Sequence, residues 1–136
     1  MTDYQAQCEA TLLEGQWDQA QQAALAWARH PATGTEQDPR PYFAMNVIHL
    51  LRGEFGEAWN TYPKCLQEPE DIVRVKEWIE GFVARQSGQA NAHLVMGLFL
   101  AQSGHSEESI ESYKESIKLA PQSAYPHHFL AQIHER

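Results

Sequence analysis

Residues 90–123 read ANAHLVMGLFLAQSGHSEESIESYKESIKLAPQS, and the fold is decided in this stretch. An apolar-rich run from Leu94 to Ala101 sits inside a helical segment predicted over Asn91 to Gln102. Ser103-Gly104 breaks it, since glycine supplies the backbone freedom of a tight turn. A second helix is predicted over Glu107 to Leu119, with Ser106 as its cap. Glu107 and Glu108 fall in its first turn, where negative charge opposes the helix dipole favourably. Pro121 follows its end.

The same punctuation runs through the rest of the chain. Helix one is predicted from Asp3 to Glu14 and is broken by Gly15; helix two runs from Trp17 to His30, before Pro31. His30 at that C-terminus is well placed against the dipole when charged. Asp38-Pro39 is a start signal, a capping carboxylate followed by a residue that owes no amide hydrogen bond. Helix three runs from there to Arg52, before Gly53, and helix four from Phe55 to Gln67 with Pro63 bending its last turns. Helix five spans Glu70 to Gln86, with Ile72, Val75, Ile79 and Phe82 at helical spacing and Trp78 and Val83 widening the stripe. Ser123 is positioned to cap helix eight, which continues to the chain end with Pro126 in its first turn. No period-2 run bounded by turns occurs, so an all-α chain of about eight helices is expected.

Short helices joined by glycine turns call for a search for a period. Within the 34 residues of 90–123, His93 stands at place 4, Met96-Gly97 at 7 and 8, Leu100 at 11, Ser109 at 20, Tyr113 at 24, Ser116 at 27 and Pro121 at 32. This pattern resembles the tetratricopeptide repeat (TPR), with His93, Ser109 and Ser116 as substitutions. The resemblance implies a right-handed superhelix of antiparallel helix hairpins, an αα solenoid. It implies that Gly97, Ser109 and Ser116 are small where two helices approach, and that Tyr113 fills the gap between one hairpin and the next. Two looser copies precede it. Residues 1–32 carry Cys8, Gly15, Trp17, Ala20, Ala24 and Trp27; residues 39–72 carry Tyr42, Met45-Asn46, Gly53, Phe55, Ala58, Tyr62 and Cys65.

Gly15, Gly53 and Gly104 are separated by 38 and 51 residues, so the array holds a loop near residues 33–38 and a whole extra helix at 70–86. That extra helix is either a repeat that lost its second helix or the partner of helix six. Residues 124–136 open like another repeat and stop, as a terminal capping helix would. The whole chain, residues 1–136, is read as one TPR-like domain.

In the resembled family, places 2, 5, 9, 12 and 13 line a concave face. Carried onto this chain they give Thr2, Gln5, Glu9, Leu12 and Leu13; Arg40, Phe43, Val47, Leu50 and Leu51; Asn91, Leu94, Leu98, Ala101 and Gln102; and Tyr125, His128, Gln132, Glu135 and Arg136. The candidate partner groove is Arg40, Phe43, Val47, Leu50, Asn91, Leu94, Leu98, Tyr125 and His128. Its apolar middle suits a peptide or helix with apolar anchors. The competing expectation is that helix five lies across it and buries it. The basic clamp with which some TPR proteins hold a C-terminal carboxylate is missing, since places 5 and 9 carry Gln5, Phe43, Leu94, Glu9, Val47 and Leu98.

Composition limits the alternatives. A net charge of −8 with dispersed basic residues argues against nucleic acid and anionic membrane, which are held by clustered Lys and Arg. The N-terminus lacks the basic and apolar regions of a signal peptide, and two cysteines make no disulfide framework, so a cytoplasmic protein is expected. Trp17, Trp27, Trp59 and Trp78 are expected in the core. Cys8 and Cys65 fall at small-residue places and are expected to be buried, inert thiols. His49 and His93 occupy framework places, and His127, His128 and His134 cluster near the end without a cysteine to complete a zinc set. No metal or cofactor is called for, and no phosphate loop, HExxH or nucleophile elbow occurs. The expected function is a non-catalytic interaction module or adaptor that binds a protein or peptide. The alternative is a self-associating structural subunit using helix 70–86 or the C-terminal helix, a homo-oligomer. A small-ligand protein or enzyme ranks behind both.

Overall fold

The computed structural model describes residues 3–29 and 38–134, the last two of these in backbone only. The expectations placed on Thr2, His30, Pro31, the loop up to residue 37, Glu135 and Arg136 lie outside the described residues, as does the side chain of His134. Among the described residues there are eight helices and no strand: α1 (Tyr4–Glu14), α2 (Trp17–Arg29), α3 (Pro39–Leu51), α4 (Phe55–Cys65), α5 (Pro69–Arg85), α6 (Ala90–Gln102), α7 (Ser106–Leu119) and α8 (Ala124–His134). They form two compact units, Met1–Trp78 and Ile79–Arg136, with the boundary inside α5.

In the first unit α1 packs on α2, α2 on α3 and α3 on α4. In the second α6 packs on α7, α7 on α8, and α6 also meets α8. Of the two sequence alternatives for α6, pairing with α7 is the one realised. These helix-to-helix contacts are consistent with a helical repeat.

Local chemistry sets the ends. Asp3 caps α1 by accepting from the Ala6 amide, and Asp38 caps α3 by accepting from the Arg40 amide with Pro39 behind it. α4 ends at Cys65, two residues past Pro63 and earlier than the expected Gln67, because the proline ring withdraws an amide from the last turn. Ser106 does not cap α7; it is the first helical residue, and His105 stands at the N-cap without a side-chain hydrogen bond.

The three hairpin turns share one geometry. Gly15, Gly53 and Gly104 have φ of 73°, 77° and 87°, in the left-handed region where a Cβ is strained. The amide after each glycine reaches back to close a six-residue turn: Gln16 to Thr11 O (2.9 Å), Glu54 to His49 O (2.8 Å) and His105 to Leu100 O (2.8 Å). The next helix then starts with Ala20 bonded to Gln16 O, Ala58 to Glu54 O and Ser109 to His105 O.

The hairpins also share a register. Asn46 Nδ2 donates to Ala58 O at 3.0 Å, and Ser109 Oγ donates to Gly97 O at 2.7 Å, each across 12 residues. The donor sits on the first helix in one hairpin and on the second in the other. Cys8 and Ala20 hold the equivalent places in α1–α2, and both are fully buried. A second bond, Ser116 Oγ to Ala90 O at 2.9 Å, ties the far end of α6–α7. Tyr113 covers Gly97 and stacks on Phe129 of α8, with ring centroids 6.2 Å apart. The small places and the gap-filling tyrosine are thus placed as the resemblance implied.

Candidate interaction surface

The residues named as a groove are mostly not on a surface. Phe43 and Val47 have no exposed area, and Leu94 and Leu98 are buried. Leu50 is half-buried. Of the two expectations, the open groove and the buried one, the burial of Phe43, Val47, Leu94 and Leu98 agrees with the second. In the first unit the start of α5 meets α1 and α2. Trp78 Nε1 donates to Glu9 Oε2 at 2.8 Å, the Trp78 ring meets Trp27 edge-on at 5.4 Å, and Arg74 lies 3.8 Å from Asp38. Glu9 is one of the places that the TPR resemblance assigned to a concave face, and the start of α5 meets it. The stripe that sequence gave α5 matches, with Val75, Ile79 and Phe82 buried.

Arg40 is committed internally. Its guanidinium is paired with both Asp38 oxygens, at 2.7 Å for Nη2 to Oδ2, and stacks over Trp27 at 5.2 Å. Burial pushes the Asp38 carboxyl up, but the Arg40 hydrogen bonds and the charges of Arg40 and Arg74 outweigh it and hold it below its ordinary value. Asn91 and Tyr125 are half-buried, and His128 is exposed with its ring edge-on to Phe129 at 5.3 Å. The nine residues are thus a mixture of interior, committed and exposed side chains.

The surface that sequence missed is on α4. Trp59 was expected in the core; it is 73% exposed, and Phe55 is 53% exposed. Trp27 and Trp78 are buried and Trp17 half-buried, as large apolar rings should be. Trp59 stacks on the half-buried Tyr62, centroids 5.8 Å apart and planes 15° from parallel. Positions 55, 59 and 62 fall on one side of a helix, beside the buried Ala58 and Cys65. The available signal was the spacing of these aromatics, which marks a face without saying whether anything covers it.

The residues tempting for chemistry have structural partners. His49 Nδ1 is 2.9 Å from Glu54 Oε1, and His93 Nε2 donates to Ser87 O at 2.8 Å. Both cysteine thiols are buried, and burial pushes each up to about 12. Among the described residues no cluster of three or more His, Cys, Asp or Glu is arranged to hold a metal ion, and no helix is long and apolar enough to cross a membrane. Comparison with known families, with characterised proteins and with solved structures returns no match.

Proposed function

We propose that this chain is a non-catalytic protein-interaction module, a TPR-like superhelix of paired helices that holds a partner by surface complementarity. The observation that supports it is the exposed aromatic face of α4. Two large rings with more than half their area in water forgo burial worth ~1.5–3 kcal/mol each, and contiguous exposed apolar surface marks recognition sites. The shared turns and register of the three hairpins support the TPR-like scaffold on which such faces are displayed. Phe43 and Val47 of α3 are buried, and so are Leu94 and Leu98 of α6, so the binding surface is read as external.

The second reading is self-association. Val73 on α5 is 52% exposed, which would suit an interface on the helix singled out for that role.

Selection of a random displayed-peptide library on the purified chain tests the first reading. Convergent peptides that bind saturably, at about 1–100 μM, are the expected result. A library that yields no convergent binder, together with a small metabolite that raises the melting temperature, would transfer the function to the small-ligand class.

A further inference from the structure

We propose that the α4 face formed by Phe55, Trp59 and Tyr62 is the docking site for one amphipathic helix bearing basic residues, supplied by another protein. This rests on the interaction-module reading.

The first argument is a comparison within the molecule. The outer helices α2, α4 and α7 are equivalent by turn and register. α2 is followed by α3 packed against it, and α7 by α8. Among the described residues, α3 is the only helix packed closely along α4, and α3 lies on its hairpin side. The equivalent places show the consequence. Ala24 of α2 and Tyr113 of α7 are buried, whereas Tyr62 of α4 is half-exposed. On α7 the place is filled by Phe129, stacked on Tyr113 from the following helix. The α4 face is thus a helix-packing face that lacks its helix, and the α7–α8 pair is the template for what fills it. The stacking of Trp59 on Tyr62 holds the two rings in place beforehand, which lowers the ordering cost of docking.

The second argument is charge. Glu57, Glu68 and Glu70, on α4 and in the first residues beyond it, are exposed and have no ion pair among the described residues. Asp71 lies near enough to Cys65 to help raise its thiol. The one lysine of α4, Lys64, sits over the Tyr42 ring at 5.3 Å. Glu57 points away from the three rings on the opposite side of α4, so the charge that bears on the choice of partner is that of the chain as a whole, −8. A second copy would bring like charge to the face; a basic helix is attracted to it.

The test uses the full chain and a displayed library of 15-residue peptides. Enriched peptides should carry apolar residues at helical spacing and net positive charge. Their affinity should fall at least tenfold on Trp59→Ser, further on Trp59→Lys, and should weaken with added salt. Unchanged circular dichroism shows that the variants are folded. Enriched peptides that are acidic, or that bind both Trp59 variants as well as the unaltered chain, overturn the site while leaving the interaction module standing. Sedimentation that shows a dimer, dissolved by Trp59→Ser, overturns it in favour of a second copy. A library that enriches nothing removes the interaction module itself.

Discussion

The Tyr113 ring occupies the space that a Cβ on Gly97 would need, 2.6 Å from Cδ1 and 3.1 Å from Cζ. Real Cβ atoms do not approach so closely, so one of the two helices must give. Alanine at an open mid-helix position gains about 1 kcal/mol over glycine. Overpacking costs ~1–3 kcal/mol. Tyr113 is buried and stacked on Phe129, so it has no free direction in which to move. Gly97→Ala is therefore expected to destabilise by about 1–2 kcal/mol despite the better propensity. Gly56→Ala is the control, because nothing lies within 4 Å of the Cβ it would add. Urea unfolding of both variants checks the pair, and a Gly97→Ala protein as stable as the Gly56→Ala one would show that α6 and α7 are not in this contact.

Asp38 gives a pH prediction. Its folded value lies below the ordinary 3.8, with Arg40 and Arg74 overcoming burial. A depressed carboxyl contributes stability that is present above the unfolded value and is lost as pH falls through the folded one. The contribution should be complete by about pH 5 and decline through the region below pH 4. Asp38→Asn keeps the shape of the cap but drops the charge. The stability gap between it and the unaltered chain should be open at neutral pH and narrow on acidification, as followed by urea unfolding at several pH values. A gap that widens toward low pH would show that the pair with Arg40 is not stabilising.

Glycine and proline marked the helices because they act locally: Gly15, Gly53 and Gly104 turn the chain wherever they stand, and Pro63 withdraws its amide whatever surrounds it. The close approach at Gly97 was legible only through the repeat resemblance, and that the Tyr113 ring fills it is seen in the structure. What covers a face was not legible. Phe43 and Val47 have the same spacing whether their face is open or filled, so their burial is seen only in the structure. Trp59 is the converse. Its spacing with Phe55 and Tyr62 reads like that of a buried stripe, and its exposure is seen only in the structure. The capping role given to Ser106 failed on a smaller scale, by one residue, within the range over which helix ends are set by competing turns.

The two thiols are expected to be silent in the folded protein. Cys8 and Cys65 have no exposed area, and burial holds each near 12, so at pH 8 almost no thiolate is present to react. Ellman's reagent should label neither residue in buffer and both in denaturant. Any labelling in buffer should follow the rate of unfolding and slow under stabilising conditions. Rapid native labelling of one thiol would place it in a locally opening segment, and the Cys65→Ser variant would identify which, α1 or the end of α4.

Trp59 and Trp78 should separate surface from interior in a single experiment. Trp78 is buried, bonded to Glu9 and packed edge-on to Trp27. Its replacement by serine leaves a large void and removes one of the hydrogen bonds to Glu9, a loss of ~3–5 kcal/mol. Trp59 loses only its stacking on Tyr62, so Trp59→Ser should stay within about 0.5 kcal/mol of the unaltered chain. Fluorescence gives an independent readout, because a water-exposed indole emits to the red of a buried one. Removing Trp59 should shift the emission maximum to the blue, and removing Trp78 in a still-folded chain should shift it to the red. A large loss of stability on Trp59→Ser would mean that the α4 face is covered within the chain itself, and the search for a partner would then have to leave α4.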